Sequence, residues 1–582
     1  MLRDRRLIGS TLAWVSAASL FALTTATQSS AEVRYASQGG QWTQALRNDF
    51  YTRDQGARII PFAWFKALKR PDGSGFLDDS MARYGYLPNP ESPTPGLPVG
   101  FLTASENGVR TLSMTCSACH TRQIEAQGAS WRIDGGPALS DFQSFIADID
   151  KAVDKILSDQ AAFSDFATAV GANGVHARKQ LRDDVEAWFK PYHTLMTRAL
   201  PSPGWGVGRA DAVSMIFNRV AGLDIGEPPL RIIEHNIALA DAPVRYPFVW
   251  NAPIQAMTQW PGFAKNGDDV LALARNVGEV YGVFGVYRPS KIAPDVNIVD
   301  FLNDSSLNYA GLQQLEMLLK KIEPPKWPWK LDGALVTQGK ALYEKNCANG
   351  CHAEQPGPAR LCNANTWATP IQDVNTDSRE YRVLVREADT GVLEGASIPL
   401  VPGVDTPLQP KDKIINILGL SVIGSILEAP LHFGFDVFKP IVDECLDQKR
   451  ASPTALRSAV QEQLKGALKN FYSKPEQAPP IAYEARVMKG IWAAAPYLHN
   501  GSVPTLADLL KPAAERPASF KVGVSYDVEN VGLAKEQTGL NSTYVADDCS
   551  KRDSGNSRCG HEFGTTLSAE EKKALLEYMK SL

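Results

Sequence analysis

Residues 116–120 read Cys-Ser-Ala-Cys-His, and this run constrains the chain more than any other. A c-type haem is held by thioethers from two thiols, and the histidine beside the second thiol reaches the iron. A zinc site would want two further ligands at matching spacing, and no second C-x-x-C pair exists in the 582 residues. Cys116 and Cys119 therefore read as attachment residues and His120 as an iron ligand. A fold built around such a run must enclose a large apolar ring.

A related run, "EKNCANGCHAE", spans residues 344–354. Cys347, Cys351 and His352 repeat the pattern with one residue too many between the thiols. The extra residue has to bulge out, and Gly350 makes this cheap because glycine accepts positive φ. Upstream, Val336, Gly339, Leu342 and Tyr343 share a helical stripe on which Gly339 lets another helix cross closely. The partner is the C-terminal "LSAEEKKALLEYMKSL", with a capping box at Ser568 and Glu571 and an apolar face of Leu575, Tyr578, Met579 and Leu582. Helix, thiol–histidine run and closing helix make the frame of a cytochrome c domain. The competing reading is a disulfide or two free thiols beside a surface His352.

Haem iron takes a second axial ligand or keeps an open position for chemistry. Of the eight histidines, His561 stands just before the closing helix. Cys549 and Cys559 bracket the loop leading to it, at a spacing that suits a disulfide in an exported protein. His499, in a turn marked by Asn500, Gly501 and Pro504, is the other candidate iron ligand or pocket residue. His176, His193, His235 and His432 have no motif around them and read as structural or surface residues. Cys362 and Cys445 remain, and their pairing would tie an insertion back to the second motif.

Arg3, Arg5 and Arg6, an apolar run and small residues at Ser29 and Ala31 describe a secretory signal cleaved after Ala31, with an uncleaved anchor as the alternative. Export would place the chain in the bacterial periplasm or outside the cell, an oxidising setting. The apolar stretch 414–435 is interrupted by Glu428 and Pro430, so it reads as a buried helix ending near Pro430, and no stable membrane span is expected after cleavage. With 60 basic against 64 acidic residues and no block of like charge, nucleic acid is not an expected partner. The expected fold is mainly α, with two cytochrome c-type haem domains, long loops and few short strands. The boundaries are a signal peptide at 1–31, an N-terminal haem domain with helical excursions at 32–330, and a C-terminal cytochrome c domain at 331–582 with an insertion at about 363–480.

Longer phrases carry a resemblance. They are "CSACHTRQIEAQG", "WRIDGGPALSDF", "YPFVWNAP", "TQWPGF", "LARNVGEVYGVFG", "KGIWAAAPYLHNGSVPTLADLL" and "GHEFGTTLSAEEKKALLEYMKSL". From about residue 95 to the C-terminus, the insertion excepted, the chain resembles the di-haem cytochromes that include the bacterial rubber oxygenases, distant relatives of the di-haem cytochrome c peroxidases. The resemblance implies two covalent haems, with His120 and His352 as proximal ligands. It implies that the N-terminal haem takes dioxygen in an apolar pocket, and that the C-terminal haem is six-coordinate with a late histidine, which fits His561 better than His499. The extra residue between Cys347 and Cys351 departs from the family pattern. Trp260 then shapes the oxygen site or bridges the haems, and Arg275 pairs with a haem propionate. For Trp260 plain core packing is an equal alternative. The implied activity is that of an oxidoreductase using dioxygen or hydrogen peroxide on a small or polymeric apolar substrate, with a periplasmic electron donor or acceptor. The alternative is a non-enzymatic electron carrier.

Overall fold

The first thiol–histidine run lies between two β-hairpins. β1 (Val33–Tyr35), β2 (Ile60–Pro61), β3 (Phe101–Glu106), β4 (Val109–Met114), β5 (Thr121–Ala126) and β6 (Ala129–Asp134) make two three-stranded sheets. One has the order β2–β4–β3, all antiparallel. The other has the order β1–β6–β5, with β1 parallel to β6. Each hairpin turns on two residues of positive φ, Asn107 and Gly108 (48° and 78°) and Gln127 and Gly128 (51° and 73°). This mirror-image turn matches the twist of the strands it joins. In β5 the buried Ile124 and Ala126 alternate with half-buried Gln123 and Glu125, the two-residue period of a strand covered on one face.

The computed structural model describes residues 32–293, 297–358, 360, 364–396, 407–434, 482–539 and 542–582, with single positions between 437 and 462. The expected leader at 1–31, the pairing of Cys362 with Cys445 and much of the insertion lie outside the described residues. The helices that position the site are α1 (Gln44–Thr52), α2 (Phe142–Ser158), α3 (Gln160–Ala169), α4 (Val175–Ala199), α5 (Ala212–Arg219), α6 (Asp269–Gly282), α7 (Tyr309–Leu319), α8 (Gly333–Tyr343), α9 (Ile414–Phe433) and α10 (Ala569–Ser581).

The expectation of a mainly α fold with two cytochrome domains is corrected. The chain is 40% helical and 16% strand, and the described strands form ten small sheets. Two physical reasons account for this. The Asn107–Gly108 and Gln127–Gly128 turns outweigh helical propensity around the first motif. Elsewhere two-residue ladders pair backbone groups that buried loops would otherwise leave unsatisfied. The two halves also share one core. Trp42, Phe50, Ile133 and Trp250 pack in the same cluster as Trp492, Leu575 and Met579.

Several local expectations are met. A Cβ at Gly339 would lie 2.0 Å from the Ala574 carbonyl oxygen, so α8 and α10 cross backbone to backbone. The Ser568–Glu571 capping box opens α10. Helix α9 is a core element: 83% of its apolar window is buried, although it runs past Pro430 to Phe433. Behind the first motif, the fully buried Asp134 carboxylate accepts hydrogen bonds from Trp42 Nε1 (2.8 Å), Arg47 Nε (2.7 Å) and Tyr51 Oη (2.5 Å). A buried charge requires such partners, and here they lock α1 onto β6.

Candidate haem sites

Cys116–Ala118 form a single 3-10 turn between β4 and β5. The turn is pressed against Gly100, whose φ is 81° and where a Cβ would lie 2.1 Å from the Ala118 nitrogen. Cys116 and Cys119 are unpaired thiols, and burial pushes both up to about 12. His120 Nδ1 is 2.9 Å from the Pro247 carbonyl oxygen. Nδ1 must donate there, which leaves the Nε2 lone pair for a metal. Burial lowers the His120 pKa to about 4, so the ring is neutral. Its aromatic neighbour is Tyr246, at 6.3 Å between ring centroids.

The second motif repeats this anchoring. His352 Nδ1 is 2.7 Å from the Arg486 carbonyl oxygen. The extra residue is accommodated as expected: Asn349 (φ −60°, ψ 109°) and Gly350 (φ 82°, ψ −6°) break the helical path between the thiols. Cys347 and Cys351 are unpaired, which removes the disulfide alternative for them. Burial pushes Cys347 up to about 11, and Cys351 Sγ accepts from Gln372 Nε2 at 2.9 Å.

The structure separates the two late histidines. His561 faces His352 with 6.1 Å between ring centroids and 50° between planes. Two imidazoles bound to one metal have comparable spacing, since each metal–nitrogen bond is about 2 Å. His561 Nδ1 is buried with no hydrogen-bond partner. The loop is held by the Cys549–Cys559 disulfide (Cα–Cα 5.3 Å) and by the His561 amide donating to Val374 O at 2.8 Å. His499 lines the same cavity but stacks on Tyr483 at 3.9 Å. Burial holds the pKa of both His499 and His561 at about 3.

These depressed values have a consequence for stability. An unfolded histidine takes up its proton near pH 6.5, while folded His120, His499 and His561 resist it. Their contribution is unpenalised above pH 6.5 and is eroded progressively as pH falls to about 4 and then 3. The urea midpoint should therefore drop between pH 7 and pH 5, and the drop should shrink in His499→Phe. An unchanged drop in that variant would contradict the assignment to His499.

The cavity around His352 and His561 takes in about 1370 Å³, the open solvent at its mouth included, and is walled by Arg245, Arg486, Trp260 and Met488 among others. The guanidinium groups of Arg245 and Arg486 lie over the Trp260 ring, 4.7 and 4.6 Å from its centroid. Burial lowers the Arg245 pKa to about 9, and Arg486 adds to the effect. Arg486 already has the Glu484 carboxylate at 3.8 Å, whereas Arg245 forms no ion pair among the described residues. A buried cation beside a cavity calls for an anion, and the carboxylates of a haem would supply it. The unpaired thiols, the two carbonyl-anchored histidines and the orphaned His561 nitrogen fit the same group.

Arg275 stands on α6. It pairs with Glu316, and its Nη1 donates to Asn266 Oδ1 at 2.7 Å. One turn along α6 stands Glu279, whose Oε1 accepts from Gln259 Nε2 and whose pKa burial raises. Arg275 and Glu279 line a second cavity that takes in about 1110 Å³, open solvent at its mouth included, with apolar walls from Ile216, Met257, Leu418 and Ile423. Sequence reasoning missed Glu279, although its i, i+4 spacing from Arg275 puts both on one helix face. It also missed the Pro247 and Arg486 carbonyls and Arg245, for which no local pattern exists.

Residues 482–521, which supply Tyr483, Arg486 and His499 to the larger cavity, match the family model described as RoxA-like, cytochrome c-like. Over 93% of its length the chain is 29% identical to the uncharacterized protein y4iJ of Sinorhizobium fredii, covering 92% of that protein. It is 25% identical to the uncharacterized protein y4iM of the same organism, over 58% of this chain and 63% of that one. The matched cytochrome c-like segment and the cavity it walls support a haem-dependent oxidoreductase that carries a c-type haem.

Proposed function

We propose that the chain is an exported, periplasmic or secreted di-haem oxidoreductase that uses dioxygen or peroxide at the N-terminal site and relays electrons through the C-terminal one. The observation that carries this reading is an asymmetry between two similar sites. Both motif histidines are anchored through Nδ1 to a main-chain carbonyl, yet only His352 faces a second imidazole among the described residues. Cys116, Cys119 and His120 would hold one haem, and Cys347, Cys351, His352 and His561 the other. A bound c-type haem supplies one-electron redox chemistry and, where an axial position is open, reactivity toward oxygen species.

The chain's own residues do the rest. Glu279, its pKa raised, can hold a proton at its carboxylate and deliver it within the smaller cavity, oriented by Gln259. The apolar walls there suit an apolar substrate and exclude water. Trp260 stands between the two anchors: Arg245, two residues before Pro247, covers one contact, and Arg486, which holds His352, covers another. We assign it the electronic bridge on that placement.

The deciding experiment is the intact mass of the denatured, matured protein, followed by carbon monoxide binding to the reduced form. Two haems per chain, with one site taking carbon monoxide, is the expected result. A single haem would end the relay. Two haems with neither binding carbon monoxide would make the protein an electron carrier.

A further inference from the structure

Helix α9 ends in a cluster that the haem reading does not use. Glu428 and His432 are four residues apart, on one face of its last turns. Both approach the strand Val299–Asp300. One ligating atom from each of Asp300, Glu428 and His432 lies within 4.8 Å of the other two. His432 Nε2 is 3.3 Å from Asp300 Oδ1. Glu428 is only 5% exposed. Its Oε2 accepts the Phe301 amide at 2.6 Å, and Asp300 Oδ1 accepts the Leu302 amide at 2.9 Å. Among the described residues no lysine or arginine forms an ion pair with either carboxylate.

We propose that Asp300, Glu428 and His432 bind one divalent transition-metal ion of the zinc class and so clamp the end of α9 to the strand beside it. The donor set decides the class. Calcium and magnesium prefer all-oxygen shells, while an imidazole beside carboxylates suits zinc and its first-row neighbours. Bonds of about 2.0–2.2 Å put tetrahedral donors roughly 3.4 Å apart, close to the observed separation of His432 and Asp300. Three protein ligands leave the fourth position to water. Two neighbouring carboxylates, one of them buried, are costly without a cation. The same helix supplies Leu418 and Ile423 to the Glu279 cavity, so the clamp would also steady that wall. None of this depends on the haem assignment.

The test uses the full-length matured protein, stripped with a chelator and titrated with zinc chloride. Zinc is counted against iron by elemental analysis. The expected result is one zinc per chain, an upward shift of the unfolding midpoint on adding zinc, and at least about tenfold weaker binding in Glu428→Gln and His432→Ala. His432 lies on the exposed side of the cluster, so His432→Ala should leave the fold and the iron content intact. No zinc retained by the wild type would overturn the proposal. So would equal zinc affinity in the wild type and His432→Ala, which would leave a plain His432–Asp300 ion pair.

Discussion

His561→Ala is expected to convert the C-terminal site almost completely from low-spin to high-spin iron and to create a second carbon monoxide-binding site. The ring faces His352 at 6.1 Å, and its Nδ1 has no other hydrogen-bond partner. The half-buried imidazole has a buried, orphaned nitrogen and is held in a left-handed backbone conformation (φ 51°) after a disulfide, as a metal ligand would require. Because no side-chain hydrogen bond is lost, the folding cost should stay near that of a small cavity, about 1–2 kcal/mol. His499→Ala serves as the comparison. Its ring stacks on Tyr483, so that variant should lose packing and keep the low-spin spectrum. An unchanged spectrum in His561→Ala together with a changed one in His499→Ala would reverse the ligand assignment.

Gly100→Ala should destabilise the chain by about 3 kcal/mol or more and lower haem attachment at the first motif selectively. Two costs add. A non-glycine residue at a left-handed φ loses about 1–2 kcal/mol, and φ is 81° here. The new methyl would also overlap the Ala118 nitrogen at 2.1 Å and its Cα at 2.4 Å. Those atoms are backbone, so no rotamer change relieves the clash, and overpacking of this kind costs about 1–3 kcal/mol. Ala118 lies between the two thiols, so relief would displace Cys116 and Cys119. Gly96→Ala is the control: its φ is 87° with nothing within 4 Å of the added atom, so only the conformational cost remains. Peptide mass mapping should show the first motif underloaded in Gly100→Ala and the second unaffected. Equal loading in Gly100→Ala and Gly96→Ala would show that the turn tolerates the displacement.

The sheets near the first motif were legible in principle. Asn107–Gly108 between the alternating "FLTASE" and "VRTLSM" is a hairpin signal. Glu279 shared a helix face with Arg275 but needed the facing apolar wall of α9 to become a site residue. Glu428 and His432 shared a helix face, but the third member of their cluster, Asp300, comes from a distant strand that no local spacing points to.

Sequence alone determined the features whose physics is local. Two thiols and a histidine at fixed spacing, the Gly350 bulge, the Ser568–Glu571 cap and the Cys549–Cys559 bridge each depend on a few bonds of backbone geometry. Tertiary structure alone decided which late histidine faces His352, which carbonyls orient His120 and His352, and which cations stack on Trp260. Those outcomes depend on burial and on hydrogen bonds between segments far apart in the chain. Only a shared core can bring such segments together, and spacing along the chain does not encode it.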